Sequence, residues 1–407
     1  MKPIKEMHPE AGPLYGSEHK VYYPALDGLR ALAVTMVFAA HTGYLTVGWA
    51  GVDIFFVLSG FLITGILWDS RNDAHRFRSF YLRRSLRIFP VYYAVWLTLL
   101  LTTPLLHFRW DWETFSWLLY VANWNRYFHP ASYNDVYQWG VILAHIQIAG
   151  RERTPFVEIG HFWSLCVEEQ FYLLWPLIVF CLGTKKRILA ACAMAVVCTP
   201  IMRFAAYFLL PKILIENDIL YCLTIFRGDS LLLGGFLAVL LRSWRVERTG
   251  WWLFSASSLC LAAMYGLMSF RHPPSMSADT GWMSAVGFTF VDLAAAGLLL
   301  LALDTKSWVF RLLCLKPLRW LGMRSYGFYI FHFPVLTVLP VFTKHMPDRD
   351  AQFIIAVAGF LITLGVSALS FRYLEKPFLR LKDRTAKTPV FSPSRRSPVE
   401  PLSSPQF

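Results

Sequence analysis

The chain has 407 residues, of which 56% are hydrophobic and only 16% are charged, and its formal net charge is +13. An ordinary soluble domain carries about 25% charged residues, so this composition excludes a typical soluble protein and indicates a membrane protein. In such a protein Lys and Arg gather in cytoplasmic loops, so the positive charge does not indicate nucleic-acid binding, and we expect none.

Ten apolar runs divide the chain, and each is long enough to cross ~30 Å of hydrocarbon as a helix. They lie near 29–45, 49–68, 88–106, 161–182, 188–210, 221–241, 251–270, 284–303, 325–343 and 351–372. Lys and Arg concentrate in alternate connections between these runs, which predicts ten spans with both termini in the cytoplasm. The predicted fold class is therefore all-α, a polytopic membrane protein with about ten transmembrane helices.

The segments before, between and after the apolar runs predict the domain organisation. Residues 1–24 are polar and form a predicted cytoplasmic N-terminal segment, and residues 25–380 form the transmembrane domain. The apolar run at 114–124 is too short to span, and a crossing there would put the basic connections on opposite faces. Residues 107–160 are therefore predicted to form one large outer loop with a re-entrant or interfacial piece. Residues 381–407, rich in Ser, Pro and charge, form a predicted disordered cytoplasmic tail.

The first span carries ionisable residues, which are costly inside a membrane and often functional. Arg30 lies near its cytoplasmic end, and His41 follows eleven residues later, about three turns and roughly 16 Å along one helical face. Arg30 can meet an anionic ligand, and a neutral imidazole at position 41 suits a general base for a hydroxyl. A buried structural histidine is the alternative interpretation. Asp27 precedes this helix.

Other spans also hold polar residues. Asp53 in the second span has no basic residue nearby in the sequence, so we expect it to pair with a residue of another helix. Ser59, which precedes a glycine, favours close helix packing or a kink over a catalytic role. Arg227 and Asp229 in the sixth span are two residues apart and cannot face each other on a helix, so each needs a partner elsewhere.

Two adjacent carboxylates, Glu168 and Glu169, lie about two turns into the fourth span. Glu168 shares one helical face with three further residues, Ser164, Tyr172 and Trp175. A carboxylate in this position can orient the His41 imidazole or position an acceptor hydroxyl. The alternative is a structural ion pair with an arginine of another span, Arg30 or Arg227.

Three arginines, Arg83, Arg84 and Arg87, stand just before the third span. Topological anchoring explains such a cluster, and Arg side chains are also well suited to bind phosphates, so both roles can hold at once. The seven cysteines show no spacing that suits zinc, and we expect no metal site.

The ninth span contains Tyr326, Tyr329 and His332, and Pro334 follows closely. The proline kinks the helix and can free backbone carbonyls for a ligand. For these residues the sequence favours a structural role over a catalytic one.

Six sequence blocks together resemble the acyltransferase-3 family of membrane O-acyltransferases. They follow the family's order over about residues 22–380 and read LDGLRALAVTMVFAAH, GVDIFFVLSGFLIT, FYLRRSLRIFPVYY, HFWSLCVEEQFYLLWPL, RGDSLLLGG, and SYGFYIFHFPVL with FRYLEKPF. The resemblance implies a multi-pass protein of the cell's inner (plasma) membrane. It also implies transfer of an acyl group, usually acetyl, from cytoplasmic acyl-CoA to a hydroxyl of a carbohydrate or, in some members, a macrolide.

The resemblance also assigns roles to residues. The family's essential histidine falls on His41 and its partner arginine on Arg30, while the basic motif falls on the three arginines before the third span. Glu168 and Glu169 match the family's carboxylate block. Acyl-CoA is a co-substrate, and no bound cofactor is implied. Some members carry an additional C-terminal hydrolase-like domain, which this chain is expected to lack, so that the bundle itself or a partner completes the transfer.

The predicted function is therefore membrane O-acyl transfer, with His41 as the base and either direct transfer or a transient acyl-histidine as the route. A transporter or flippase for a glycan or lipid-linked substrate is the alternative, although the chain shows no internal repeat of the kind many carriers have. A non-catalytic scaffold that binds polysaccharide through the aromatic outer loop is a second one. Only an enzyme releases free CoA thiol, and the sequence does not indicate the oligomeric state.

Overall fold

A computed structural model gives the fold of the chain. It describes residues 22–106, 110, 112–128, 141–143, 146–148, 151–153, 156–212, 218–243, 249–269, 276, 281–343 and 346–385. The predicted N-terminal segment up to residue 21 and the predicted disordered tail after residue 385 lie outside the described residues. The termini's predicted cytoplasmic location therefore stays a prediction.

Helices dominate the described residues. In chain order they are α1 (Pro24–His41), α2 (Ala50–Asp69), α3 (Arg76–Leu106), α4 (Trp112–Leu118), α5 (Asn125–Phe128), α6 (Trp163–Leu182), α7 (Lys185–Leu209), α8 (Ile219–Cys222), α9 (Gly228–Leu240), α10 (Thr249–Ser269), α11 (Phe288–Leu303), α12 (Trp308–Leu313), α13 (Lys316–Gly322), α14 (Ser325–Val338), α15 (Pro340–Thr343), α16 (Asp348–Ser370) and α17 (Lys376–Thr385). Short 3₁₀ turns occur at Thr46–Trp49, Ala122–Trp124, Gly160–Phe162 and Thr224–Phe226, and π-helical turns at Met283–Gly287 and Phe371–Glu375.

Eight helical segments among the described residues are long and apolar enough to cross a membrane. The two other runs expected from the sequence correspond to α1, with 18 residues, and to α9, with 13 residues. A helix of 13 residues is only about 20 Å long, which is less than the hydrocarbon thickness. The protein is an all-α polytopic membrane protein, as the sequence predicts.

Helix α2 lies at the centre of the bundle, where it contacts α1, α6, α9 and α11. In the most apolar 18-residue stretch of the α2 segment, 72% of the residues are buried, whereas the corresponding share for α10 is only 6%. Helix α10 therefore lies at the periphery of the bundle. Residues of α1 and α2 contribute to both large hydrophobic clusters of the core. The two helices with the functional candidates Arg30, His41 and Ser59 are therefore held by most of the remaining bundle.

Helices α2 and α9 cross in close contact at two glycines. A Cβ atom on Gly60 would lie 1.7 Å from the carbonyl oxygen of Leu231, and one on Gly234 would lie 1.9 Å from the carbonyl oxygen of Val57. Only glycine lets two helix backbones approach this closely. The sequence-based expectation that the Ser59–Gly60 pair allows close packing agrees with this crossing.

Helix α3 extends farther towards the N-terminus than the apolar run at 88–106 predicts. It begins at Arg76 and continues through Pro90 and Pro104. The arginine-rich segment is therefore not a loop before the span, because it forms the first three turns of the helix itself. This regular geometry fixes the directions of Arg83, Arg84 and Arg87 relative to one another.

The described part of the predicted outer loop contains short elements that the sequence analysis did not predict as such. Helix α4 packs on α3, where the Tyr92 hydroxyl donates to the carbonyl of Trp117 at 2.6 Å. Two antiparallel pairs follow, β1 (Val141–Leu143) with β4 (Phe156–Glu158) and β2 (Ile146–Ile148) with β3 (Arg151–Arg153). Strand β4 contacts α14. The location of this region on the outer side stays a prediction.

Candidate active site

A cavity of about 100 Å³ lies inside the bundle, between residues of α1, α2, α3, α6 and α14. Phenylalanine, leucine, valine and isoleucine side chains form part of its wall. The polar side chains that line it are Arg30, Ser59, Arg84, Arg87, Ser164, Glu168, Glu169, Tyr172, Ser325, Tyr326 and Tyr329. Seven of the predicted site residues therefore meet in one cavity, although they come from five separate sequence blocks.

The arginines of the cavity come from two helices. Arg30 extends from α1, and its Nη1 donates to Oδ1 of Asp27 at 3.0 Å, which orients the guanidinium. Arg84 and Arg87 are three residues apart on α3 and therefore share one face. Arg83 points about 100° away from Arg84 on the same helix and does not line the cavity. The predicted group of three donor-binding arginines on α3 is thus divided.

Asp27 also connects the start of α1 to the residues around it. The Tyr22 hydroxyl donates to Oδ2 of Asp27 at 2.5 Å, and Arg319 donates to the Tyr22 oxygen at 3.4 Å. Partial burial, followed by the hydrogen bond to Asp27, raises the pKa of the Tyr22 phenol above its usual range. Asp27 therefore acts as a structural support that orients Arg30.

The carboxylates Glu168 and Glu169 enter the cavity from α6. Ser164, Glu168 and Tyr172 line it together, which agrees with the predicted helical face. The fourth residue of that face, Trp175, instead donates to Thr64 Oγ1 at 2.8 Å. The Arg84 guanidinium lies over the Tyr172 ring, 4.9 Å from its centroid, and interacts electrostatically with both glutamates.

Tyr172 also links α6 to α2, because its hydroxyl lies 2.5 Å from Ser59 Oγ. Tyr326 closes another side of the cavity, and its hydroxyl donates to the carbonyl of Ile88 on α3 at 2.7 Å. Ser59 and Tyr326 therefore hold the helices that surround the cavity and also expose their polar atoms to it.

A cluster of three histidines lies beside the cavity. Nδ1 of His41 is 2.8 Å from Nε2 of His332, and the His41 ring stacks on Phe333 with centroids 4.3 Å apart. The ring of His161 lies 4.9 Å from that of His332 and 6.4 Å from that of His41. His161 and His332 are buried, whereas His41 is an exposed residue.

The surroundings of His41 differ from those that the sequence suggested. His41 is the last residue of α1, and Thr42 caps the helix. The residue as a whole is exposed, while its imidazole packs against His332 and Phe333. Nδ1 of His41 contacts His332, whereas Glu168 and Glu169 line the cavity with the arginines. His41 itself is not among the residues that line this cavity.

Tyr329 connects the cavity to the histidine cluster. Its hydroxyl donates to the carbonyl of His161 at 2.8 Å and lies 2.6 Å from Ser164 Oγ. Its backbone carbonyl oxygen lies 2.6 Å from Nδ1 of His332 and 2.9 Å from Nε2 of His161. The side chain thus faces the cavity, while the backbone of the same residue anchors two of the histidines.

His161 was not among the site residues predicted from the sequence. It is the first residue of the block HFWSLCVEEQ, and no spacing to another polar residue distinguishes it in the sequence. The three histidines come from α1, from the turn before α6, and from α14. Only the tertiary structure brings them together.

A second polar layer lies deeper in the bundle and outside the cavity. Asp53 on α2 pairs with Arg227 at the start of α9, and Asp229 pairs with Arg203 on α7 at 2.6 Å. The prediction that Asp53, Arg227 and Asp229 each pair with another helix is confirmed. Arg203 and the buried Asp292 of α11 were not selected, although both are ionisable residues inside apolar runs.

The part of the chain that the structure describes contains no group of three or more His, Cys, Asp or Glu side chains that could hold a metal ion. The cavity instead combines guanidinium, carboxylate and hydroxyl groups, and the adjacent cluster offers imidazole nitrogens. Such groups can bind an anionic ligand and transfer protons.

Comparisons with known proteins agree with this description. A family profile described as an acyltransferase domain matches residues 23–372. Peptidoglycan O-acetyltransferase OatA of Listeria monocytogenes is 30% identical over 88% of this chain and 56% of its own length. YrhL of Bacillus subtilis, provisionally named a peptidoglycan O-acetyltransferase, is 31% identical over 92% of this chain and 58% of its own length.

A protein of Staphylococcus aureus provisionally named an O-acetyltransferase is 27% identical over 88% of this chain and 57% of its own length. The chain therefore spans somewhat more than half the length of these curated relatives. No solved structure shows a significant match. The family profile covers most of the chain, and the protein therefore belongs to the acyltransferase-3 family of membrane acyltransferases.

Proposed function

We propose that the protein transfers an acyl group, most simply acetyl, from cytoplasmic acyl-CoA to a hydroxyl of a carbohydrate at the opposite face of the inner (plasma) membrane. The observation that carries this proposal is the arrangement of α1. This helix contributes Arg30 to the arginine-lined cavity and, about 16 Å farther along, ends in His41, an exposed residue. An anionic donor and an alcohol acceptor can therefore approach the bundle from different sides.

The donor half of the site depends on the arginines. Guanidinium groups bind phosphates through paired, charge-assisted hydrogen bonds. The cavity of about 100 Å³ is small, so we propose that it receives the thioester end of the donor and not its nucleotide. We propose that Arg87 and the half-buried Arg83 contact the phosphates at its rim, while Arg30 and Arg84 act within it.

The carboxylates then have a different role from the one first expected. Glu168 and Glu169 line the same cavity as Arg84 and interact with its guanidinium electrostatically, which offsets part of its charge. A thioester is neutral, so it does not require a strongly positive cavity. We therefore propose that the two glutamates position the donor and do not orient His41.

His41 serves as the base in this proposal. The acceptor's hydroxyl proton moves to Nε2 of His41, the oxygen attacks the thioester carbonyl carbon, the carbon–sulfur bond breaks, and the thiolate takes the proton back. A transient acyl-histidine would use the same imidazole nitrogen as the nucleophile. In both routes the Tyr329 side chain must move, because it lies between the cavity and the histidines.

The acceptor class follows from the relatives. Two of them carry names that refer to peptidoglycan O-acetylation, so a peptidoglycan-type glycan or a related carbohydrate is the acceptor that we propose. A macrolide is a smaller alcohol of the same reactivity and is the second acceptor to test.

Purified protein in lipid vesicles tests this function. With acetyl-CoA labelled in the acetyl group and a panel of glycan fragments, we expect release of CoA thiol that depends on the acceptor, and an equal amount of label in the glycan. Vesicles without protein and reactions without acceptor are the controls. Movement of a glycan across the vesicle membrane without thiol release would support a transporter or flippase instead, and binding alone would support a scaffold.

A further inference from the structure

We infer that His332 positions His41 for catalysis, through a chain of hydrogen bonds that fixes the tautomers of both imidazoles. The inference rests on the proposed function, because it assumes that His41 acts on a hydroxyl. It gives His332 a specific role, whereas its sequence context favours a structural one. His332 touches neither substrate in this account and is therefore a positioning residue.

The series of hydrogen bonds begins at a group that can act only as an acceptor. The backbone carbonyl oxygen of Tyr329 can only accept hydrogen bonds, and Nδ1 of His332 lies 2.6 Å from it. Nδ1 of His332 must therefore carry a hydrogen. A neutral imidazole has one N–H, so Nε2 of His332 is left as an acceptor with a free lone pair.

The same reasoning extends to His41. Its Nδ1 lies 2.8 Å from Nε2 of His332, and with an acceptor on that side the hydrogen must be on Nδ1 of His41. Nε2 of His41 then keeps its lone pair. That is the nitrogen a general base needs, and it belongs to an exposed residue at the end of α1, the side from which we propose that the alcohol approaches.

The surroundings hold this arrangement in place. His332 is fully buried, and its ring is nearly parallel to that of His41, with an angle of 22° between the planes and 5.0 Å between the centroids. The carbonyl of Tyr329 also accepts a hydrogen bond from Nε2 of His161, at 2.9 Å. Two donors from different elements therefore fix the position of the carbonyl at which the chain starts.

The hydrogen bonds between Tyr329 and His332 and between His332 and His41 can persist through the catalytic cycle, and no further reactant is needed. When Nε2 of His41 takes the alcohol's proton, Nδ1 continues to donate to His332, so the ring does not rotate. The proton on Nε2 then passes to the leaving thiolate, and both histidines return to their starting tautomers. A carboxylate usually performs this orienting task, and here a second neutral imidazole performs it.

Two substitutions of His332 separate positioning from packing. His332→Leu places an apolar side chain of similar volume beside Phe38 and Phe328 but offers no hydrogen-bond acceptor to His41. His332→Gln is polar, and its amide oxygen reaches approximately the place of Nε2, where it can accept from His41. A packing role favours Leu over Gln, whereas the positioning role predicts the opposite order.

The variants are compared as full chains in lipid vesicles by acceptor-dependent thiol release. We expect His332→Leu to lower kcat about 100-fold with an unchanged KM for acyl-CoA. The kcat of His332→Gln should be at least about tenfold higher than that of His332→Leu. A Gln variant no more active than the Leu variant, or two variants as active as the wild type, would overturn the inference.

His332→Asn supplies the comparison if the Leu variant folds poorly. The Asn amide reaches only the place of Nδ1, so this polar variant should be as inactive as the Leu variant. An Asn variant as active as the Gln variant would count against the proposed hydrogen bonds. A wild-type protein that releases no thiol with any acceptor would instead refute the proposed function. If the wild type is active and the Gln and Asn variants are equally active, only the role of His332 is refuted.

Discussion

Removal of one partner of the buried Asp53–Arg227 ion pair should strongly destabilise the bundle. Both side chains have no exposed surface, and Nε and Nη1 of Arg227 have no other hydrogen-bond partner in the described structure. Asp53→Leu would leave the guanidinium without its hydrogen-bond acceptor, among the rings of Phe56, Tyr221 and Phe288 and with only the electrostatic attraction of Asp229 and Asp292. A buried charge left unpaired in this way costs about 3–5 kcal/mol.

The same physics predicts that the second substitution restores most of the loss. Arg227→Met alone should also cost about 3–5 kcal/mol, because the Asp53 carboxylate is then buried without a cation. In the double variant the desolvation penalties of both partners disappear, and the attraction of Arg227 for Asp229 and Asp292 is lost, so we expect a stability within about 1–2 kcal/mol of the wild type. The coupling energy between the two sites should therefore exceed about 3 kcal/mol.

Unfolding of purified protein in mixed micelles with increasing denaturing detergent measures all four stabilities. Far-UV circular dichroism follows the helices, and the fluorescence of the 16 tryptophans follows packing. Single variants that lose less than about 1 kcal/mol, or a double variant that loses the sum of both, would refute the view that this pair joins α2 to α9.

Two more substitutions test the helix crossing and the donor cavity. Gly60→Ala should lower stability by about 1–3 kcal/mol, because its methyl group would lie 1.7 Å from a carbonyl of the facing helix. An unchanged unfolding midpoint would contradict the close crossing. Arg84→Ala should raise the KM for acyl-CoA at least about tenfold, since hydrogen bonds to charged groups contribute about 1.5–3 kcal/mol, whereas the exposed Arg187→Ala should not. Equal effects of the two substitutions would argue against the cavity as the donor site.

Periodicity and composition were sufficient to predict the all-α membrane fold, because a spanning helix must satisfy its own backbone and therefore leaves a long apolar run. The charged residues of the spans were also informative. An unpaired charge in this environment is very costly, so partners on other helices for Asp53, Arg227 and Asp229 could be expected. The identity of those partners depends on helix packing and could not be read from the chain.

The site was predictable in its parts but not in its arrangement. Helical spacing gave the face shared by Ser164, Glu168 and Tyr172, because that face depends only on local geometry. Which residue orients His41 depends on how α14 packs beside α1, and the sequence therefore offered an α6 carboxylate but gave no sign of the contact with His332. His161 was missed for the same reason.

Loss of chemistry without loss of donor binding in the His41→Ala variant is the most direct test of the account. Affinity for a thioether analogue of acyl-CoA and the rate of a single acyl transfer should be measured on the same vesicles, with the exposed His75→Ala as the matched control. We expect His41→Ala to bind the analogue as tightly as the wild type and to transfer at least about 100-fold more slowly, and His75→Ala to behave as the wild type. Transfer by His41→Ala at the wild-type rate would contradict the role of this histidine.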